Sequence, residues 1–408
     1  MALSFQEVMQ AEFAALDAKD ANYAIEVVQR LLAAARRLGA SDLHLRPSGE
    51  ELEARLRLDG VLHLVARLPR ASAPNVIARL KVLADLLTYR TDVPQEGRIR
   101  ALEDGGEMRV STFPTVFGEK AVVRLFAGGQ QFRLLDDLGF PEDVLSPLGR
   151  LLDETSGAIL VTGPAGSGKT TTVYACLREL SRRTNGARSL ASIEDPVEVL
   201  VPGMAQSQVN PAVQFDLAAG LRFLMRQDPE VIMIGEIRDR ATAEAAFGAS
   251  LTGHLLLSTF HAGSAAEAVS RLSDMGIEPY LLQSGLLAIL SQRLARKLCD
   301  CARPSDDPVD RLGLPVERVW LPAGCKACNG TGYRGRLVLV EMLTPERSSV
   351  GRAILSRSDT AAIEQLALDA GMVSRWERAC RAVNEGVTSP AEVRRVLGFS
   401  TPGGVKDA

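Results

Sequence analysis

The stretch SGAILVTGPAGSGKTTTVYACLREL, residues 156–180, decides the fold. Its apolar start, up to Thr162, predicts a buried strand, and the residues after 170 have the spacing of a helix. Between them GPAGSGKT, residues 163–170, fits the pattern G-x-x-x-x-G-K-[ST] in full. The pattern stands in the strand–loop–helix context that a phosphate-binding loop requires, so a chance glycine-rich turn is the weaker alternative.

The residue types in this loop suit a nucleotide with its metal ion. Glycines let backbone N–H groups approach phosphates, and the following helix adds the positive end of its dipole. Lys169 is expected to reach the β- and γ-phosphates, and the Thr170 hydroxyl is expected to ligate Mg²⁺. The predicted nucleotide-binding residues of the loop are Gly163, Pro164, Ala165, Gly166, Ser167, Gly168, Lys169, Thr170 and Thr171.

Three further apolar runs alternate with helical patterns: SLASIED at 189–195, VIMIGE at 231–236 and HLLLSTF at 254–260. Such alternation predicts a parallel sheet covered by helices, which is the α/β class. Ligands of these sheets gather at the carboxyl ends of the strands. Side chains that follow the runs are therefore expected to lie near the phosphate loop.

Acidic residues follow two of these runs. In VIMIGEIRD, 231–239, Gly235 stands where many P-loop enzymes place a magnesium-binding acid, and Glu236 comes next. We expect Glu236 to orient or deprotonate the attacking water, with Glu194 and Asp195 acting near the metal. The alternative is that these acids cap the turns or helices that follow them. For Asp195, which precedes a proline, the two interpretations are balanced.

Histidines around the third run and arginines ahead of the second run add candidates. His261 follows this run, near the expected γ-phosphate, whereas His254 precedes it and favours a structural role. Arg222 and Arg226 lie one helical turn apart. They are predicted either to form a solvated face or to contact nucleotide or a neighbouring subunit.

The remainder of the chain of 408 residues predicts a second domain and a cysteine-rich insertion. Segments of alternating polar and apolar residues between about 41 and 126, with helices at about 24–38 and 74–89, predict a small α+β domain. A linker is expected at 127–143. The expected divisions are an N-terminal extension at 1–27, the α+β domain at 28–128, the P-loop core at 129–292, a cysteine module at 293–345 and a helical segment at 346–408.

Composition limits the function classes. Hydrophobic residues make up 46% and charged residues 24%, an ordinary globular composition, and the formal net charge of −3 disfavours a broad nucleic-acid surface. The first 20 residues lack the pattern of a signal peptide, and no apolar run is long enough to span a bilayer. We expect a cytoplasmic protein that meets membranes only through partners and does not bind nucleic acid.

Of six cysteines, four occur between residues 299 and 328. Cys325 and Cys328 form a C-x-x-C pair among glycines, as in zinc knuckles, and Cys299 and Cys301 form a tighter C-x-C pair. We expect these four to hold a structural Zn²⁺, with reduced cysteines in a mobile insertion as the alternative. Cys176, on the helix after the phosphate loop, is expected to pack in the core.

Taken together, the motifs resemble those of the secretion ATPases of type II secretion and type IV pilus assembly, from about residue 25 to 400. The similar stretches are ASDLHLRP, LRLDGVLH, PQEGRIR, MRVSTFPT, GEKAVVRL, GPAGSGKTTT, SIEDPVE, RQDPEVIMIGEIRD, LTGHLLLSTFHA, GCKACNGTGYRGR and GVTSPAEVRRVLG. The combination of GEIRD with the histidine motif is highly specific. The family usually has C-x-x-C where this chain has LCDC. The expected N-terminal extension is also short, and longer relatives use that region to dock on a membrane-associated partner.

This resemblance implies a RecA-like core, a PAS-like N-terminal domain and a ring hexamer that hydrolyses ATP. It implies that the chain drives pseudopilus or pilus assembly through an inner-membrane platform protein. It also implies docking on a membrane-associated partner and a location at the cytoplasmic side of the inner membrane. By motif, Glu194, Glu236 and His261 match essential polar positions. The residues that match the family's nucleotide-contacting arginines are Arg98, Arg109, Arg222 and Arg226.

Competing functions remain at this stage. A RecA-like DNA-dependent ATPase is one, although the chain lacks interleaved basic and aromatic residues. A nucleotide-dependent switch with little turnover is another. Pilus retraction motors also resemble the chain but lack the cysteine module, so assembly is the favoured role.

Overall fold

The computed structural model describes residues 5–100, 107–125, 134–345 and 349–399. The chain divides into two compact units, each with its own core. The first, here called the N-terminal unit, holds residues up to 131 together with 298–303 and 321–335. The second, the P-loop unit, holds 132–297, 304–320 and the residues from 336 onward.

The N-terminal unit is built on an antiparallel sheet. Its strands are β1 (Asp42–Pro47), β2 (Glu51–Leu58), β3 (Val61–Pro69), β4 (Gln95–Arg100), β5 (Glu107–Thr115) and β6 (Gly118–Leu125). They lie in the order β3-β2-β1-β6-β5-β4, and every neighbouring pair is antiparallel. Its helices are α1 (Phe5–Ala14), α2 (Tyr23–Arg37) and α3 (Ala73–Leu83).

The core of this unit lies between the helices and the sheet. Val27 and Leu31 of α2 are fully buried with Leu43 and Leu56 of the strands, because each element turns its apolar side to the same layer. Residues 1–27, expected to be an extension, contain α1, whose Met9 and Phe13 belong to this core. The predicted helix at about 74–89 ends earlier, at Leu83, because Asp85 has a left-handed φ of 56°.

The P-loop unit contains a seven-stranded sheet. Its strands are β7 (Gly157–Thr162), β8 (Leu190–Glu194), β9 (Met204–Gln208), β10 (Val231–Ile234), β11 (Leu255–Phe260), β12 (Leu286–Leu298) and β15 (Tyr333–Leu343). The order is β15-β12-β7-β11-β10-β8-β9, and the run from β12 to β9 is parallel throughout. Two short strands, β13 (Arg303–Ser305) and β14 (Val319–Leu321), pair separately.

Helices alternate with these strands along the chain. They are α4 (Glu142–Leu151), α5 (Lys169–Thr184), α6 (Leu217–Leu224), α7 (Arg240–Leu251), α8 (Ala265–Asp274), α9 (Pro279–Gly285), α10 (Ser349–Leu355), α11 (Thr360–Asp369), α12 (Arg375–Asn384) and α13 (Pro390–Leu397). None of the helices in the described ranges is both long and apolar enough to cross a membrane.

The predicted α/β fold class is confirmed. All residues of β7, β10 and β11 are buried, as expected for parallel strands covered on both faces, and a smaller α+β unit is present. The boundary predicted at 128/129 lies outside the described residues, as does the linker up to 133. The rest of that linker includes Leu135 and Phe140, which are buried in the core next to α4. The boundary predicted at 292/293 falls within β12.

Candidate nucleotide site and cysteine cluster

The phosphate loop connects β7 to α5, as the sequence predicts. Lys169 opens α5, and its Nζ donates to the carbonyl oxygens of Gly163 at 2.9 Å and Pro164 at 3.1 Å. An ammonium group has three donors, so one is left for a phosphate oxygen. Burial lowers the pKa of Lys169, the charge of Glu236 opposes that shift, and Arg293 adds to it. The charges of Glu236 and Arg293 therefore both act on Lys169.

Glu236 is held by two neighbours at the carboxyl edge of the sheet. Its Oε1 is 2.8 Å from His261 Nε2, and Arg238 Nε donates to its Oε2 at 2.7 Å. A carboxylate only accepts hydrogen bonds, so His261 Nε2 carries the proton in this pair. Each oxygen keeps a free lone pair with which it can accept from water. The two contacts fix the position of the Glu236 side chain, which is only 16% exposed.

The space for a side chain at position 235 is restricted. A Cβ added to Gly235 would be 3.3 Å from Glu194 Cα and 3.6 Å from the Asp195 nitrogen. Those are main-chain atoms at the end of the neighbouring parallel strand, where Gly235 N donates to Ile193 O at 2.9 Å. A side chain at 235 would therefore press against the backbone that carries Glu194.

Glu194 lies at the same edge but makes different contacts. Its carboxylate, only 2% exposed, accepts from Ser192 Oγ at 2.5 Å, from Gln206 Nε2 at 3.1 Å and from the Tyr174 hydroxyl. Burial raises the pKa of Tyr174, and the hydrogen bond to Glu194 raises it further, so the hydroxyl stays a donor. All three donors are neutral. Tyr174 belongs to α5 and Gln206 to β9, so their hydrogen bonds connect these elements to the end of β8.

The other predicted residues occupy separate places. Arg222 lies on α6 and Arg226 just beyond it, both exposed. Arg98 and Arg109 lie in the N-terminal unit, opposite each other in the β4–β5 register, and Arg109 Nε is 3.3 Å from Glu96. His254 Nδ1 lies 3.1 Å from the carbonyl oxygen of Ala249 at the end of α7, which matches the structural role favoured for it.

The four cysteines predicted to bind metal come together in the N-terminal unit. The Sγ atoms of Cys299, Cys301, Cys325 and Cys328 all lie within 4.8 Å of one another. Three of the separations are 3.8 Å (Cys299–Cys325), 3.9 Å (Cys301–Cys328) and 3.8 Å (Cys325–Cys328). A Zn–S bond of about 2.3 Å places tetrahedral thiolates about 3.8 Å apart, so the cluster fits zinc. The tight C-x-C spacing does not prevent this geometry.

Backbone groups also favour a thiolate at Cys328. The N–H groups of Cys325 and Gly332 donate to its Sγ at 3.1 Å and 3.2 Å. Burial raises the pKa of Cys328, but these hydrogen bonds, together with those from the Cys325 and Cys301 side chains, outweigh burial and lower it to about 7. By contrast, burial raises the pKa of Cys176 to about 12, and this residue packs in the core as predicted.

For two residues that contact the predicted carboxylates, no role was predicted from the sequence. Arg238 lies two positions after Glu236, so the strand-end motif itself could have suggested it. Tyr174 sits 20 residues from Glu194 on a helix, and nothing local marks it as the partner of a carboxylate. Only the fold brings Tyr174 and Glu194 together.

A phosphate loop on a parallel sheet, with Glu236, His261 and Lys169 at the carboxyl edge, defines the class of P-loop nucleotide hydrolases. Within that class the chain belongs to the family of type II/IV secretion system proteins, whose pattern matches residues 17–395. The resemblance inferred from the motifs is therefore confirmed. The family is one of secretion ATPases, so ATPase chemistry is the general activity of the chain.

Comparison with individual relatives identifies the same family. The chain is 42% identical over 393 residues to the type II secretion system protein E of Aeromonas hydrophila, covering 93% of this chain and 77% of the relative. It is 39% identical over 395 residues to the type IV pilus assembly ATPase TfpB of Acinetobacter baylyi, covering 93% and 66%.

Solved structures share the fold. The ATPase DotB of Legionella pneumophila superposes with a TM-score of 0.65 at 22% identity, covering 91% of this chain and 95% of DotB. The pilus retraction motor PilT with bound ADP gives a TM-score of 0.53 at 22% identity, covering 90% and 98%. At this identity the likeness concerns the fold alone.

Proposed function

We propose that the chain hydrolyses ATP to ADP and phosphate and uses the energy as a motor. The observation that carries this proposal is the carboxylate of Glu236, held by His261 and Arg238 beside the phosphate loop. A carboxylate whose neighbours fix its position, with lone pairs to spare, suits the orientation of a water molecule. The charge of Glu236 raises the pKa of Lys169, the residue proposed to bind the phosphates, and this supports a position of Glu236 near them.

The reaction follows from these positions. The oxygen of a water molecule that donates to Glu236 attacks the γ-phosphorus, the bond to the β-phosphate oxygen breaks, and the water's proton passes to the carboxylate. Backbone N–H groups of the loop and Lys169 stabilise charge on the phosphates. His261 holds Glu236 in position and senses whether the γ-phosphate is present. In the assembled ring the nucleotide is also contacted by Arg98, Arg109, Arg222 and Arg226.

Mg²⁺ supplies charge neutralisation for the phosphates when bound, and the Thr170 hydroxyl is the ligand that the loop offers. Position 235 is a glycine and offers no carboxylate. Glu194 takes over as the metal-side carboxylate. Because its carboxylate already accepts from three neutral donors, we propose that Glu194 would act by orienting ligands of the ion.

The work performed is assembly of a type II secretion pseudopilus or a type IV pilus. Relatives near 40% identity are named for type II secretion and pilus assembly, whereas the likeness to the retraction motor is at 22% identity and concerns the fold. The acting form is a homo-hexamer at the cytoplasmic face of the inner membrane. It contacts a platform protein in that membrane and a membrane-associated docking protein, and it does not bind nucleic acid.

We also propose that the chain holds a structural Zn²⁺, with Cys299, Cys301, Cys325 and Cys328 as its ligands. The sulfur separations and the backbone N–H groups directed at Cys328 support this assignment. The ion would crosslink two segments of the chain that lie more than 20 residues apart.

The enzymatic proposal is tested by phosphate release from ATP by the purified chain. Hydrolysis is expected to require Mg²⁺ and to be unchanged by single- or double-stranded DNA. Lys169→Ala is the matched negative control, since it removes the phosphate-binding ammonium. Activity that appears only with DNA would instead establish the DNA-dependent alternative, and no hydrolysis under any of these conditions would refute both.

A further inference from the structure

Gln292 is a fully buried polar residue directly beneath the phosphate loop, with 1% of its surface exposed. It lies on β12, which runs parallel to the strand that leads into the loop, and Ser291 is in register with Thr162. Its Nε2 donates to the Ser167 carbonyl at 2.8 Å, and its Oε1 accepts from Thr172 Oγ1 at 3.1 Å. The carbonyl of Ser167 can only accept, so the orientation of the amide is determined.

Glycines at both ends of the loop permit this close approach. A Cβ at Gly163 would lie 2.5 Å from the main-chain oxygen of Gln292 and 2.5 Å from Ser167 Oγ. At Gly168, whose φ is +89°, a Cβ would lie 3.2 Å from the Nε2 of Gln292. Larger residues would push the loop away from Gln292.

The hydrogen bond to Ser167 determines where an amide of the loop points. The Ser167–Gly168 peptide is trans, since Asp195–Pro196 is the one cis bond in the described ranges. In a trans peptide the C=O and N–H point in opposite directions. A Ser167 carbonyl held inward by Gln292 therefore turns the Gly168 N–H outward, to the side on which a P-loop holds phosphate.

We propose that Gln292 is a positioning residue for phosphate binding: it holds the Ser167 carbonyl so that the Gly168 N–H faces the β-phosphate. Thr172, one turn into α5, fixes the amide of Gln292 in turn. This inference rests on the proposed binding of ATP and ADP by the loop. It assigns a role to a residue 125 positions away from Ser167 in the sequence.

The test compares ADP with AMP, because only ADP has the β-phosphate. Gln292→Met keeps the length of the side chain but removes both hydrogen bonds, and Gln292→Glu keeps the shape but sets an acceptor against the Ser167 carbonyl. We expect each to raise the dissociation constant of ADP about tenfold, the worth of about 1.4 kcal/mol. The dissociation constant of AMP should stay within about twofold of wild type.

Two further variants serve as controls. Thr172→Val keeps the bond between Gln292 and Ser167, so its ADP dissociation constant should rise less than about threefold. Gln365→Met makes the same replacement at an exposed position of α11 and should leave both nucleotides unaffected. The thermal unfolding midpoint of each variant establishes that it is folded, and either Gln292 variant that folds decides the result.

Separate results would overturn the two proposals. If wild-type protein does not bind ADP, the proposed function fails. If wild type binds ADP and a folded Gln292 variant binds it within twofold of wild type, only the positioning role fails. Equal weakening of ADP and AMP would also overturn that role, because it would indicate a general disturbance of the site.

Discussion

Glu236→Gln is expected to lower the rate of ATP hydrolysis by about 10²–10⁴-fold, the usual contribution of a general base. Glutamine keeps the size of the side chain but loses the basic carboxylate. ATP binding rests on backbone amides, Lys169 and Thr170, so the ATP dissociation constant should stay within about threefold of wild type. The measurement pairs equilibrium binding of ATP with single-turnover hydrolysis.

Two matched variants separate the role of Glu236 from the effect of losing a charge. Glu244→Gln makes the same replacement on the exposed face of α7 and should leave the rate unchanged. Glu194→Gln should instead raise the Mg²⁺ concentration needed for half-maximal activity by about tenfold, as for residues that orient metal ligands. Near-normal turnover in Glu236→Gln would remove Glu236 from the chemistry and leave Glu194 or His261 to handle water.

Cys325→Ala is expected to reduce bound zinc from about one ion per chain to less than a tenth of that. The three remaining thiolates cannot complete the tetrahedral coordination of Zn²⁺. Binding of structural zinc supplies much of the local folding free energy, about 10–16 kcal/mol in isolated zinc-finger peptides. Amide hydrogen exchange of residues 325–332 should therefore accelerate more than about tenfold. Elemental analysis of protein purified without added zinc gives the stoichiometry.

The control for this variant is Cys380→Ala, which removes a buried cysteine of α12 outside the cluster and should leave the zinc content unchanged. A chelator should reproduce the effect of Cys325→Ala on wild-type protein. Metal-free wild type in which all four thiols react freely, with hydrogen exchange at 325–332 unchanged by chelator, would contradict the zinc assignment.

The parts of the fold that sequence patterns predict are those with strong local signals. β7, β10 and β11 are continuous apolar runs, and such runs are typical of parallel strands buried on both faces. Parallel strands end at one edge, so Glu236 and His261 were expected to lie near the phosphate loop, and their side chains are in direct contact. The cysteine spacing likewise predicted a cluster.

Elements without a local signal were missed. Residues 279–292 form α9 and the start of β12. No element was predicted for this stretch, because periodicity does not distinguish a short buried helix from a buried strand. The contacts of Tyr174 with Glu194 and of Gln292 with Ser167 depend on how strands are ordered in the sheet, which no local pattern encodes. Met9 of α1 is likewise buried in the core of the N-terminal unit through tertiary packing.

We propose that the chain is an ATP-driven motor whose active form is a ring. The most direct measurement is the rate of ATP hydrolysis per chain across a dilution series, with the molecular mass of the assembly measured in the same samples. We expect the rate to rise at least about tenfold as monomers form hexamers, because an arginine brought to the γ-phosphate contributes about 10³–10⁵ in other P-loop enzymes. Dilute monomer that hydrolyses ATP as fast per chain as the hexamer would contradict the account.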